Sequence, residues 1–170
     1  MPADQSLIER FYSAFAARNG AEMAACYAPD VKFSDPVFQD LHGPEAGAMW
    51  RMLTERATDL RVELLERSAQ GDHGTAHWQA HYTFTETGRP VVNDVHATFR
   101  FGDVVLIVEH GDDFDFYHWA RQALGTRGVL LGWTPLVRSA VRRRARQGLD
   151  QFMGRESSIP GQAQKPAVER

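Results

Sequence analysis

The sequence predicts an α+β fold: a curved antiparallel sheet packed against N-terminal helices, with a C-terminal helical extension. Three observations lead there. Residues up to Ala57 carry helical periodicity, residues 60–116 carry long strands of period-two alternation, and helical periodicity returns from Tyr117 onward. A sheet with one apolar and one polar face must bury the apolar face against a helical layer, which the flanking segments supply.

The elements follow in order. Ser6 and Glu9 have the spacing of a capping box, and Ile8, Phe11, Tyr12 and Phe15 form the stripe of a first helix that ends at Asn19-Gly20. A short second helix, Ala21 to Ala28, presents Met23, Cys26 and Tyr27, and Pro29-Asp30 stops it. Val31-Lys32-Phe33 runs extended into Asp35-Pro36, and the proline holds Asp35 in an extended conformation. Gly43-Pro44 opens a third helix with Ala46, Met49, Trp50, Leu53 and Ala57 as its stripe.

Strands come next. Leu60 to Ser68 is the first of them. Thr75 to Thr85 sets Ala76, Trp78, Ala80, Tyr82 and Phe84 against His77, Gln79, His81, Thr83 and Thr85. After a turn at Thr87-Gly88-Arg89-Pro90, Val91 to Phe101 places Asn93, Val95, Ala97, Phe99 and Phe101 on one face. Gly102-Asp103 turns into Val104 to Phe116. Tyr117 to Leu124 is a short helix, and Thr134-Pro135 opens a longer one reaching about Phe152. Its apolar stripe is Leu136, Val137, Val141, Ala145, Leu149 and Phe152, and Arg138, Arg142, Arg143, Arg144 and Arg146 crowd the rest. From Gly154 the chain is rich in Ser, Gln, Pro and Ala, a composition expected to be disordered.

The 170 residues suit one domain, and 43% hydrophobic with 24% charged residues reads as globular. The net charge of −3 hides a split: residues 1–126 carry −9 and residues 127–155 carry +6. The chain therefore divides into a domain at 1–126, an Arg-rich helical extension at 127–153 and a tail at 154–170. On this reading function belongs to the domain and the charge anomaly to the appendage. A single cysteine, Cys26, excludes an intramolecular disulfide and a multi-cysteine zinc site. No apolar signal core and no membrane-length apolar run is visible, so a cytoplasmic location is expected. No phosphate loop or dinucleotide fingerprint is visible, and no cofactor is expected.

Several stretches resemble the nuclear transport factor 2-like superfamily, which includes ketosteroid isomerase, limonene epoxide hydrolase and the SnoaL-like polyketide cyclases. They are Ile8-Glu9-Arg10-Phe11-Tyr12-Ser13-Ala14-Phe15, Tyr27-Ala28-Pro29-Asp30-Val31, Phe33-Ser34-Asp35-Pro36-Val37, Phe99-Arg100-Phe101, Ile107-Val108-Glu109-His110 and Asp112-Asp113-Phe114-Asp115-Phe116. The resemblance covers about residues 6–124. It implies a cone-shaped, cystatin-like α+β barrel with a pocket between sheet and helices, and a homodimer formed through the outer face of the sheet. It says little about activity, because one fold hosts many functions.

Three residues are candidates for catalysis. By resemblance, Asp35 matches the general-base aspartate of ketosteroid isomerase; a carboxylate shielded by apolar walls can shuttle a proton beside a carbonyl. The competing reading is a solvated or backbone-bonding Asp before proline. The rest of that site is missing, because its oxyanion-hole positions fall on Phe11 and Ala97, whose side chains cannot donate. Steroid isomerisation is therefore not expected. Asp112 matches an acid that limonene epoxide hydrolase uses, but that enzyme's Arg and second Asp fall near His81 and Thr83. The competing reading for Asp112 and Asp115 is helix capping and ion pairing. His110 shares strand parity with Asp112 and Phe114, so it can face the same cavity and form an acid/base pair with Asp112.

Trp50, Trp78, Tyr82 and Phe114 are read as core and pocket wall together. Asn93 interrupts an apolar face, so if buried it needs a partner from protein or ligand. No metal site is expected: His110 and Asp112 with His96 or His81 match no known ligand spacing, and His77 and His81 stand about 13 Å apart along a strand. Cys26 reads as a small buried hydrophobe. The Arg-rich helix allows contact with an anionic membrane surface, but the favoured reading docks its Arg face on the acidic body. Nucleic acid is not an expected partner, because the body lacks a basic surface and a stacking platform. The functional reading is thus a SnoaL-like pocket protein for a small apolar molecule. The alternative is an acid/base isomerase, cyclase or epoxide hydrolase on such a substrate.

Overall fold

The computed structural model describes residues 3–159. The elements are α1 (Ala3–Ala16), α2 (Gly20–Ala25), β1 (Tyr27–Ser34), β2 (Leu41–His42), α3 (Pro44–Arg56), β3 (Arg61–Gln70), β4 (His73–Phe84), β5 (Arg89–Phe101), β6 (Ile107–Asp113), α4 (Phe116–Leu124), α5 (Thr126–Leu131) and α6 (Pro135–Ser157). One open sheet runs in the order β2-β1-β6-β5-β4-β3. Neighbours are antiparallel except β1 and β6, which pair in parallel. The sheet is therefore mixed where a purely antiparallel one was expected: the meander β3–β6 returns its last strand alongside β1. Register shifts in β1, β3 and β6 bend these strands so that the sheet curves around the helices.

Most differences from the sequence reading lie at element ends. The first helix starts at Ala3, so Ser6 lies inside it and does not cap it. Tyr27 to Asp30 open β1 instead of closing α2; Pro29 is tolerated because the ladder to β6 is interrupted between Tyr27 and Lys32. Val104 and Val105 belong to a turn, with Val105 at φ 32°, and β6 starts at Ile107. Short α5 was not anticipated. Gly154 to Ser157 continue α6, and residues 160–170 of the expected tail lie outside the described residues. Gly43, expected to open α3, does so at φ 54°, where a Cβ would stand 2.8 Å from the Pro29 carbonyl oxygen. Only glycine meets both constraints without strain.

The core lies between α1, α3 and the concave face. Ile8 and Phe11 are fully buried, and Tyr12 and Phe15 nearly so, against Phe33, Trp50, Trp78 and Phe99. Each such apolar side chain contributes about 1.5–3 kcal/mol on burial. Leu149 and Phe152 of α6 join the same core. Around them Arg142 Nε donates to the Pro36 carbonyl at 2.9 Å, Arg144 pairs with Glu86, Arg146 with Glu45 and Asp150, and Arg51 with Glu156. Several α6 arginines thus dock on the body. Surface ion pairs add at most about 1 kcal/mol each, so the two buried apolar residues chiefly hold α6 in place. Leu136, expected on the buried stripe, is 82% exposed beside exposed Trp133 at the α5–α6 corner. Among the described residues no helix is long and apolar enough to cross a membrane.

Candidate functional site

A cavity of about 300 Å³ opens between the sheet, α3, α4 and α6. Its wall includes Trp50 and Leu53 of α3, Trp78 and Tyr82 of β4, Val95 of β5 and Phe114 just after β6. Polar groups interrupt this surface, among them Asp35, Asn93 and Asp112. They come from distant elements. Asp35 lies in the turn after β1, Asn93 on the inner face of β5 and Asp112 on the inner face of β6.

Asp35 is held by its own turn. Its backbone N–H donates to the Phe38 carbonyl at 2.8 Å, and its Oδ1 accepts from the N–H groups of Val37 at 2.6 Å and Phe38 at 2.5 Å. No hydrogen bond reaches Oδ2 among the described residues. Part of the residue touches the surface, but the carboxyl itself is shielded. Burial, aided by the charge of Asp112, pushes its pKa up to about 7 against the two N–H donors and Arg142. The backbone-bonding reading of Asp35 accounts for one oxygen of its carboxyl group and leaves the other open.

Asp112 is anchored from below. Its Oδ1 lies 3.0 Å from His110 Nε2, His110 Nδ1 lies 2.7 Å from the Tyr27 hydroxyl, and Trp50 Nε1 donates to that hydroxyl at 2.7 Å. Trp50 can only donate, so the Tyr27 hydroxyl accepts from it. The tautomer in which Tyr27 donates to His110 Nδ1 and His110 Nε2 donates to Asp112 satisfies every group in the chain. His110 itself does not line the cavity. Its side chain is fully buried, with Phe11, Phe33 and Phe99 around it and Trp50 stacked at 17°. The expectation that His110 shares the cavity is corrected to a position one layer behind Asp112. Strand parity turned it inward, and the bulky rings of α1 and β1 fill the space in front of it.

Two more groups complete the site. The Tyr82 hydroxyl accepts from Trp119 Nε1 at 2.9 Å, which leaves its own proton to donate. Burial raises its pKa, and the nearby charge of Asp35 adds to that. The Asn93 amide is half-buried and has no hydrogen-bond partner among the described residues. Trp78, in the cavity wall, keeps its indole Nε1 buried without an acceptor.

Other expectations resolve away from the cavity. Asp115 caps α4, accepting from the His118 N–H at 2.9 Å. Cys26 is buried, and burial pushes its thiol up to about 11, so it is no nucleophile. Thr83 reaches the cavity but is bonded to Asp59 through both its N–H and its hydroxyl. No three metal-ligating groups converge inside the cavity among the described residues; the one such group, His77, Asp94 and His96, lies on the sheet's outer face. Sequence reasoning missed Tyr27, taken as helical, and the contribution of α6. Val141, Arg144 and Ala145 line the cavity, and Arg144 pairs with Glu86 at its exposed rim at 2.9 Å. The extension therefore forms part of the wall of this cavity.

A concave mixed sheet over N-terminal helices is the nuclear transport factor 2-like fold. Residues 8–110 match the SnoaL-like domain family, and the chain belongs to that family. Solved structures agree on the fold. A nuclear transport factor 2-like protein of unknown function from Burkholderia pseudomallei has a TM-score of 0.63 at 20% identity, covering 72% of this chain and 98% of that one. A putative polyketide cyclase from Xanthomonas campestris has a TM-score of 0.61 at 21% identity, covering 71% and 96%. An LEH-like epoxide hydrolase from M. tuberculosis has a TM-score of 0.59 at 19% identity, covering 79% and 95%. No curated protein matches the sequence.

Proposed function

We propose that the cavity binds a small, largely apolar carbonyl compound and that Asp35 moves a proton at the carbon beside the carbonyl. The observation that carries this reading is the state of Asp35. One oxygen is fixed by two N–H groups, the other is free, and its pKa is brought to about 7, where it both takes and returns a proton near neutrality. A base alone is not enough, because the enolate oxygen needs a donor. Tyr82, already accepting from Trp119, has its hydroxyl proton for that oxygen, and the Asn93 amide is a second unpaired donor. The positions expected from the isomerase pattern, Phe11 and Ala97, are buried and apolar, so this donor set differs from the steroid isomerase arrangement. Asp112, oriented by His110, bears a charge that raises the proton affinity of Asp35. The epoxide-hydrolase alternative is less supported, since His81 stands on the opposite strand face from the cavity-lining Trp78 and Tyr82.

The test is α-proton exchange. A panel of cyclic and aryl ketones is incubated with the protein in deuterated buffer, and exchange is followed by NMR. The expected result is exchange that Asp35→Asn removes while ligand binding, read by Trp fluorescence, persists. Exchange that survives Asp35→Asn overturns the catalytic role. A panel in which no ketone binds overturns the ligand class.

A further inference from the structure

The outer face of β4 and β5 carries a constellation that the cavity does not use. His77 and His96 are direct cross-strand partners, and their rings stack with centroids 4.3 Å apart and an interplanar angle of 14°. Asp94 precedes His96 by two residues on β5, so both point to the same face. Its Oδ1 lies 2.7 Å from His77 Nε2 and 3.9 Å from His96 Nε2. One ligand atom from each residue fits within 4.8 Å of the other two. Gln79, the cross-strand partner of Asp94, donates to its Oδ2 at 2.6 Å and so fixes the carboxylate while leaving Oδ1 toward the histidines.

We propose that His77, Asp94 and His96 form a binding site for a divalent transition metal of the zinc, copper or nickel class. The ligand types select that class. Two imidazole nitrogens and one carboxylate oxygen suit these ions, whereas calcium and magnesium take oxygen ligands. The size is right after a small contraction: ligands about 2.0–2.2 Å from zinc stand roughly 3 Å apart, which rotation of exposed side chains reaches. The support is rigid, since all three ligands sit on two paired strands, and Gln79 supplies the outer-shell hydrogen bond that orients a ligating carboxylate. In the single chain the side chain of His96 is 71% exposed, which leaves room for the remaining coordination positions.

The test is calorimetric titration of chelator-washed full chain with zinc alone, and cobalt absorption spectroscopy to read coordination. The expected result is saturable binding of one ion per chain. His96→Gln and Asp94→Asn each weaken it at least tenfold, and Gln79→Ala weakens it by ~10–100-fold. His81→Gln, a control on the same strand and face as His77, leaves it unchanged. Circular dichroism checks that the variants fold; both ligand residues substituted are exposed. No saturable binding, or binding that both ligand variants leave intact, overturns the proposal. One ion per two chains also overturns it, in favour of a site bridging two copies.

Discussion

Asp35 and Asp94 each accept two hydrogen bonds, yet they stand on opposite sides of the usual carboxylate range. Asp35, on the inner side of the sheet, accepts from two backbone N–H groups and is raised to about 7. Asp94, on the outer face, accepts from Gln79 and His77 and is lowered, with the Gln79 bond as the largest cause. The donors are comparable in number, so they do not explain the difference. Burial does. An apolar cavity withholds the water that stabilises the charged form, and two N–H groups do not replace it. The sheet thus separates a shielded carboxyl on its inner side from a solvated one on its outer face.

The contrast can be broken by substitution, and the largest effect is expected at the buried acid. Asp35→Asn should reduce α-proton exchange by ~10²–10⁴-fold, the range for a positioned general base. Asp94→Asn should leave exchange unchanged. Equal losses in the two variants would mean that face does not matter.

The two acids should also respond oppositely to pH. Asp35 binds its proton more tightly folded than unfolded, so its contribution to stability is lost as pH rises from about 4 to about 7. Asp35→Asn should therefore stabilise the fold more at pH 8 than at pH 5, by a difference on the order of 2–4 kcal/mol in urea titrations at the two pH values. Asp94 binds its proton less tightly folded, so its contribution is present above its unfolded value and lost in acid. Exchange should rise with pH through about 7 as Asp35 ionises.

A smaller effect is expected in the layer behind the cavity. Tyr27→Phe leaves Trp50 Nε1 and His110 Nδ1 without their shared partner and should cost about 1–3 kcal/mol for each orphaned group in a urea titration. Unchanged stability would mean that the chain from Trp50 to Asp112 is not cooperative. The smallest effect belongs to the rim: Arg144→Ala removes an exposed pair with Glu86 and should change stability by less than about 1 kcal/mol.

The alternation of β4 and β5 was legible because period-two patterning depends only on which face is buried. Trp78, Tyr82, Asn93 and Val95 pointed inward as expected, and His77, Asp94 and His96 outward. Asp35 was legible through its proline and its resemblance. Tyr27 was not, because Pro29 reads as a helix stop whether a helix or an interrupted strand precedes it. Nor was the place of His110: parity gives a side chain's face but not its depth, and depth depended on Phe11, Phe33 and Phe99 from three other elements.

By itself the sequence determined the element types, the inward and outward faces of the long strands, the family and the acids worth testing. These follow from local periodicity, turn chemistry and short motifs. Tertiary structure decided the rest: the free oxygen of Asp35, the hydrogen-bonded chain from Trp50 to Asp112, the donor on Tyr82 and the cavity wall from α6. Each of these depends on groups far apart in sequence brought within hydrogen-bond reach or out of contact with water. The docking that the charge split suggested takes its particular partners there. Several arginines of α6 meet carboxylates and a carbonyl of the body, and the helix they anchor closes one side of the cavity.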